Sequence, residues 1–161
     1  MQKFPKGKYY ATIGGAQKTR DELEELEHKR VEISKNIKTA KGFGDLKENF
    51  EYHEAKREQG FLEGRIQALK IIIPSLEVVP PNPDTSEVSF GSIVEVREDE
   101  MEDWSVMIVG PLEANPMEDK ISYESPLGAA LIGRKVGEVF TASVPAGEVQ
   151  FEVLSIRSYE P

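Results

Sequence analysis

The sequence predicts an α+β protein: an N-terminal antiparallel coiled-coil hairpin of two helices, then a small antiparallel β-sheet carrying one short helix. Three observations predict it. Apolar residues recur at alternating spacings of three and four from Ala16 to Ala40 and again from Tyr52 to Ile73. A proline-rich stretch follows, and beyond it the period of the apolar residues changes to two.

The first arm has the seam Ala16, Thr19, Leu23, Leu26, Arg30, Ile33, Ile37 and Ala40, with Thr12 placed to cap its start. Thr19 and Arg30 are weak points in that seam. The run Gly44, Asp45, Leu46, Lys47, Glu48, Asn49 then interrupts the helical pattern. A glycine followed by carboxylates marks the end of one helix and the beginning of the next, so this run is the expected hairpin tip. The return stripe is Tyr52, Ala55, Gln59, Leu62, Ile66, Leu69 and Ile73, and Pro74 forbids its continuation. Two arms of about 28 residues make a rod about 40 Å long at about 1.5 Å per residue. Its apolar content is expected to be densest away from the tip, leaving little core near it.

Residues 1–76 are assigned to the hairpin, 77–83 to a linker and 84–161 to the second domain. Pro74, Pro80, Pro81 and Pro83 favour extended backbone across the junction. Strands are expected over residues 88–96, 104–109, 120–123, 139–144 and 149–156, with turns at Gly110/Pro111 and Ala146/Gly147. Residues 125–131 are small and apolar enough for one or two helical turns, and Trp104, the sole tryptophan, is expected to fill the second core.

Composition excludes several classes. With 161 residues, 39% hydrophobic and 30% charged, the chain can bury one or two small cores. It has no cysteine, which excludes disulfides and thiolate metal sites. No window approaches the roughly 18 apolar residues of a membrane span, and the N-terminus lacks the apolar stretch of a signal peptide, so a soluble cytoplasmic protein with no membrane partner is expected. The net charge of -9 argues against indiscriminate nucleic-acid binding. That average conceals an asymmetry: residues 1–74 hold 15 Lys+Arg against 12 Asp+Glu, a net of +3, whereas residues 75–161 hold 5 against 17, a net of -12. The two halves face different partners.

The tip admits two readings. Asp45 and Glu48 have the spacing of a capping box, in which one side chain caps and the other reaches back to its amide. Alternatively, two carboxylates on one face of a first turn share a hard cation. Two such donors alone bind magnesium poorly, because the ion gives up its water reluctantly, so a partner must complete the shell. Capping and metal binding need not exclude each other.

At this point the residues resemble a family, the bacterial Gre transcript-cleavage factors, and its GreA branch more than the others. The resemblance lies in Gly15 and Ala16 opening the first helix, in residues 44–49 with Glu51, Tyr52 and His53, and in Gln59, Gly60 and Phe61 with Glu63, Gly64, Arg65 and Ile66. In the second domain it lies in Phe90-Gly91, Ile121-Ser122, Ser125-Pro126-Leu127-Gly128, Leu131-Ile132-Gly133 and Gly147-Glu148. It runs from Thr12 to Ile156.

The resemblance implies a function. The hairpin would enter the secondary channel of bacterial RNA polymerase, where Asp45 and Glu48, matching the family's acidic pair, help hold a Mg2+ ion shared with the polymerase. The reaction implied is hydrolysis of the nascent RNA near its 3' end in a backtracked complex. Asp45 is assigned to metal, and Glu48 to metal or water. Acting alone the chain would not be an enzyme; it would stimulate the polymerase's own cleavage activity, as a monomer. Lys41, Lys47, Lys56 and Arg57 are candidates for contacting RNA phosphates, or else belong to a solvated face interleaved with Glu51, Glu54 and Glu58. Phe50 and Tyr52 stack on a base or brace the hairpin, and bracing is the preferred reading. His53 has no companion histidine nearby, which argues against metal binding through it.

The second domain resembles the family's FKBP-like domain, which docks rather than catalyses. Ser125, Pro126 and Leu127 match the loop that meets the rim helices of the polymerase's largest catalytic subunit. Their ordinary reading, Ser as cap and Pro as first helical residue, is expected to hold as well, with an exposed Leu127 as anchor. Two other classes are kept: a Gre-fold regulator that occupies the channel without cleavage, and a prolyl isomerase suggested only by the fold of the second domain. The first would be marked by altered tip carboxylates, and this tip retains both. The second needs an aromatic-lined pocket, whereas the domain's aromatics are spread over several strands. Three features depart from the family pattern: Thr19 in the seam, the bulky Phe43, and an N-terminal extension over residues 1–11 whose role the sequence leaves open.

Overall fold

The first helix, α1 (Ile13–Lys41), ends one residue before Gly42, and the return helix, α2 (Phe50–Ile72), gives way at Pro74 to a single 3-10 turn, Ile73–Ser75. These belong to a computed structural model that describes residues 2–42, 44 and 49–161. The chain forms two compact units: Gln17–Ser75, and Leu76–Pro161 together with the segment ending at Ala16. The units therefore divide the chain differently from the sequence boundary at residue 76, because the N-terminal segment packs with the sheet.

In the hairpin unit, Ile33, Ile37, Leu62 and Ile66 form the buried seam, and Leu23, Leu26, Tyr52 and Ala55 pack against it. Ala40, next to the tip, is buried as well. The expectation of a core densest away from the tip is thus reversed for α1. Its buried seam residues beyond the first turn are Ile33, Ile37 and Ala40, while Leu23 and Leu26 are only half-buried. Arg30 sits in the seam as expected and is met there by Glu63 at 2.9 Å. Further interhelical pairs run along the flanks: Glu22 with Arg65 at 2.6 Å, Lys29 with Glu58 at 3.2 Å and Glu27 with Lys70 at 3.8 Å. Such partly exposed pairs are each worth under about 1 kcal/mol, but they penalise a slipped register.

The other unit begins with a feature the sequence did not reveal. Strand β1 (Tyr9–Ala11) pairs in parallel with β2 (Leu76–Val78), in the register Tyr9↔Leu76 and Ala11↔Val78. The ladder continues past β2, since the Val79 amide donates to the Ala11 carbonyl at 2.8 Å. Part of the stretch assigned as linker is therefore paired backbone.

The main sheet has five strands: β3 (Ser92–Glu98), β4 (Trp104–Val109), β5 (Lys120–Ser122), β6 (Val139–Val144) and β7 (Gly147–Ser158), in the order β5-β4-β3-β7-β6. Neighbours run antiparallel except β4 and β5, which are parallel. The expected antiparallel sheet thus carries one parallel neighbour at its edge. The segment after β4 turns back through the 3-10 turn Pro116–Glu118, so that β5 leaves in the direction of β4. The first strand also starts later than expected, at Ser92. Val88 pairs instead with the 133–134 backbone, and Gly91 turns the chain with φ +82, a conformation that favours glycine.

Period-two alternation places Val94, Val96, Val106, Ile108, Phe140, Ala142, Phe151 and Val153 on one buried face. The helix α3 (Pro126–Leu131) covers that face with Leu127 and Leu131, while Trp104 is half-buried at its margin. Gly128 lets the helix approach closely, since a Cβ there would lie 2.0 Å from the Ser122 carbonyl oxygen.

The first turn of α1 is fastened to this unit. Thr12 caps it as predicted, its Oγ1 accepting from the Gly15 amide at 3.1 Å. The same hydroxyl donates to Glu113 Oε1 at 2.5 Å, and the Thr12 amide donates to Glu113 Oε2 at 2.9 Å. Tyr159 completes the clasp: its hydroxyl donates to the Val79 carbonyl at 2.6 Å and accepts from the Ile13 amide at 3.3 Å.

Two glycines give opposite tests of this description. A Cβ at Gly110 would lie 2.0 Å from the Tyr10 carbonyl oxygen, whereas a Cβ at Gly60, inside α2, meets nothing within 4 Å. Gly110→Ala should lower the stability of the sheet unit by about 1–3 kcal/mol through overpacking against backbone. Gly60→Ala should raise that of the hairpin by roughly 0.5–1 kcal/mol through helix propensity. Urea titrations followed by Trp104 fluorescence for the sheet and by far-ultraviolet circular dichroism for the helices separate the two effects.

Candidate functional site

The described residues on either side of the tip define how it is closed. Gly44 has φ +115, and the Gly42 amide returns to the Thr39 carbonyl at 3.0 Å, ending α1 in a tightened turn. On the far side Asn49 is the N-cap of α2: its Oδ1 accepts from the Tyr52 amide at 3.1 Å. Its Nδ2 donates to the Ala40 carbonyl at 2.6 Å. One amide side chain thus satisfies an orphan donor of one helix and a terminal carbonyl of the other. Tyr52, half-buried against the hairpin core, meets the His53 ring edge-on at 5.4 Å, and the Lys41 ammonium lies 6.0 Å from the centre of its ring.

Asp45, Glu48 and Lys47, together with Leu46 and Phe43, lie outside the described residues. The capping-box reading of Asp45 and Glu48 therefore lies outside them too; the cap of α2 among the described residues is Asn49. Sequence carried that signal too, since Asn ranks with Asp as a cap and stands directly before the first residue of α2. Of the other basic candidates, Arg57 is paired with Glu54 at 2.5 Å on the same helix. Lys56 is exposed, with no ion pair among the described residues. Tyr52 braces the hairpin as expected. Phe50 does not: it is 77% exposed beside an open groove that also contains Asn36, Thr39, Glu54 and Glu58.

The second candidate surface is the start of α3. Ser125 Oγ accepts from the Gly128 amide at 3.1 Å and donates to the Ser122 carbonyl at 2.6 Å, which fixes the cap, and Pro126 follows as the first helical residue. Pro126 is exposed, but Leu127 is only 8% exposed and belongs to the sheet's core. The expectation of an exposed Leu127 anchor is therefore overturned: the capped first turn directs its second residue at the sheet. The exposed surface there consists of Glu124, Pro126 and Ala129.

Because Asn49 bonds both helices, Asn49→Ala should destabilise the hairpin by about 1–2 kcal/mol. Hydrogen exchange should accelerate at the Tyr52 amide and leave the sheet unit unchanged. Unaltered protection at Tyr52 would remove Asn49 from this role.

Comparison with known proteins accounts for both halves of the chain. A family model described as "Transcription elongation factor, N-terminal" matches residues 9–78, and one described as "Transcription elongation factor, GreA/GreB, C-term" matches residues 82–158. Transcription elongation factor GreA of Clostridium novyi (strain NT) is 49% identical over 158 residues, covering 92% of this chain and 96% of that protein. The GreA of Caldanaerobacter subterraneus subsp. tengcongensis is 46% identical over 149 residues, covering 91% and 95%. Among solved structures, GreA factor homolog 1 of Thermus thermophilus is 28% identical with a TM-score of 0.43, covering 94% of this chain and 99% of that one. Matched in order over both halves, and with GreA relatives nearly half identical along most of its length, this chain belongs to the GreA/GreB family of transcription elongation factors.

Proposed function

We propose that the chain returns arrested transcription complexes to elongation. It binds bacterial RNA polymerase, inserts its helical hairpin through the secondary channel and stimulates endonucleolytic cleavage of the nascent RNA at its 3' end. The observation that carries this reading is the coincidence of family membership over residues 9–158 with an intact acidic pair, Asp45 and Glu48, in the run that joins the two helices. The protein acts as a monomer in the cytoplasm, and the polymerase supplies the rest of the catalytic site.

The donor chemistry agrees with this division. Asp45 and Glu48 offer hard carboxylate oxygens, which suit Mg2+, but two donors leave most of an octahedral shell unfilled. Bound jointly with the polymerase, Mg2+ supplies Lewis-acid polarisation of the attacking water and of the scissile phosphate. The chain would hold the metal with Asp45, and with Glu48 would either hold it as well or orient the attacking water. Polarisation by the metal would carry most of the activation of the water, with the carboxylate positioning it. Lys41, Lys47 and Lys56 lie near enough in sequence to meet RNA phosphates. Arg57 is the weaker candidate, because Glu54 already neutralises it.

The test is transcript cleavage in a stalled, backtracked elongation complex. Asp45→Asn and Glu48→Gln should each lower the cleavage rate on the order of 100-fold while leaving polymerase affinity nearly unchanged, since these groups act in the reaction and not in docking. Wild-type rates in both variants would sink the assignment. Binding without cleavage by the unaltered chain would instead make it a regulator that only occupies the channel. For docking, the variant is Pro126→Glu, at an exposed position beside the buried Leu127. It should weaken binding, with cleavage recovered at saturating factor.

A further inference from the structure

The N-terminal extension, whose role the sequence left open, ends in an aromatic cluster that the tip and docking surfaces do not use. Phe4 lies almost parallel to Tyr123, with ring centroids 3.9 Å apart and planes at 14°. Tyr10 meets the Phe4 ring edge-on at 5.5 Å, and Phe90 lies tilted at 6.2 Å. The three walls come from different parts of the fold: Tyr10 from β1, Phe90 from the turn before β3, and Tyr123 from the segment between β5 and α3.

Each wall is held without help from Phe4. Tyr10 is buried in the ladder with β2, its carbonyl against Gly110; Phe90 is 1% exposed; and the Tyr123 amide donates to the Val109 carbonyl at 3.0 Å. Phe4 packs half-buried against the edge of the sheet's core, but the segment that carries it is held by little else. Residues 2–8 form no strand or helix, and all of them except Phe4 are exposed. Beyond the ring, the anchors of this segment are one hydrogen bond, from the Phe90 amide to Gln2 Oε1 at 2.7 Å, and a largely exposed ion pair between Lys8 and Glu77. An aromatic ring seated among preformed aromatic walls at the end of a loosely tethered segment is the arrangement of a plug in a pocket.

We propose that this cleft is a binding site for an aromatic side chain carried on a short, basic, extended segment, and that the chain's own residues 2–6 keep it closed in cis with Phe4. The segment that fills the cleft defines the ligand chemistry. Pro5 holds the preceding residue in extended backbone. Lys3, Lys6 and Lys8 give residues 2–8 a charge of +3 with no acidic residue, against the net -12 of residues 75–161. A partner segment with an aromatic residue before proline, flanked by lysine or arginine, offers the same contacts and competes for the same place. The tether decides the balance, because a short flexible linker sets an effective concentration in the millimolar range. A segment of sub-millimolar affinity then stays mostly closed in cis, and an outside ligand displaces it only at cost to its apparent affinity.

The experiment uses the full-length chain with Phe4→Ala, which empties the cleft and leaves its walls. The probe is a fluorescent peptide corresponding to residues 2–8, Gln-Lys-Phe-Pro-Lys-Gly-Lys, followed by anisotropy. It should bind Phe4→Ala saturably below about 1 mM, and the unaltered chain about tenfold more weakly. The same peptide with alanine in place of its phenylalanine should not bind. Tyr123 gives a second readout, because burial, with smaller contributions from Glu124 and Tyr10, holds its phenol above its ordinary pKa. In Phe4→Ala the ultraviolet titration of this phenol should move down towards the ordinary value, and the peptide should move it back up. Equal affinity for the two chains, no saturable binding to Phe4→Ala, or an unmoved Tyr123 titration would each overturn the proposal.

Discussion

The parallel pairing of β1 with β2 is the constraint on which the rest of the chain is organised. Parallel strands cannot be joined by a tight turn; they need a crossover connection of about a dozen residues or more. Here the crossover is the entire hairpin, both helices and the tip, between Ala11 and Leu76. The first helix must begin where β1 ends, and its first turn is where Thr12, Glu113 and Tyr159 converge. A long helix leaves its first amides without internal partners, and here a carboxylate and two hydroxyls accept from Thr12, Ile13 and Gly15. The N-terminal segment therefore belongs in packing to the sheet unit, although it precedes the hairpin in sequence.

The hairpin shows how a rod with a thin core keeps one register. Its buried seam is short, and Gln59 and Arg30 occupy seam positions that apolar residues would otherwise fill. Arg30 is tolerated because its side chain stays partly exposed and Glu63 reaches it at 2.9 Å. The flanking pairs at Glu22/Arg65, Lys29/Glu58 and Glu27/Lys70 contribute little stability singly. Their value is in opposing any slip, which would set like charges face to face. With Gly60 and Gly64 inside α2, the hairpin's stability rests on packing more than on helix propensity.

Much of this was legible in the residues. The spacing of Ile33, Ile37, Leu62 and Ile66 marked the hairpin seam, Pro74 marked its end, Thr12 its cap, and alternation marked β4 and β6 to the residue. What was not legible has physical causes. Strands of three residues, such as β1 and β2, are too short to show alternation, and β2 is followed closely by prolines that read as linker. The parallel β5 depends on how residues 110–119 fold back, which no periodicity records. Leu127 was expected to be exposed because the resemblance matched it to a docking loop, yet the direction of a side chain in a first helical turn is set by the cap geometry. Phe50 looked like a brace because helical spacing is ambiguous by one position at a helix start. Phe4 carried no signal at all, since its partners Tyr10, Phe90 and Tyr123 are scattered through the sequence and meet only in the fold.

The position of Asn49 bears on what the acidic pair can be asked to do. A carboxylate that caps a helix has its lone pairs directed at backbone amides, and its removal then costs helix stability as well as chemistry. Here the cap of α2 is supplied by Asn49, whose amide also holds the last turn of α1. A neutral isostere at Asp45 or Glu48 removes charge without removing that cap. A loss of transcript cleavage in such a variant reports on the carboxylate's part in the reaction, while a loss caused by loosening the tip would appear with Asn49 instead. The roles are thereby separable by substitution: Asn49 holds the two helices together, and Asp45 and Glu48 are the pair proposed for the reaction.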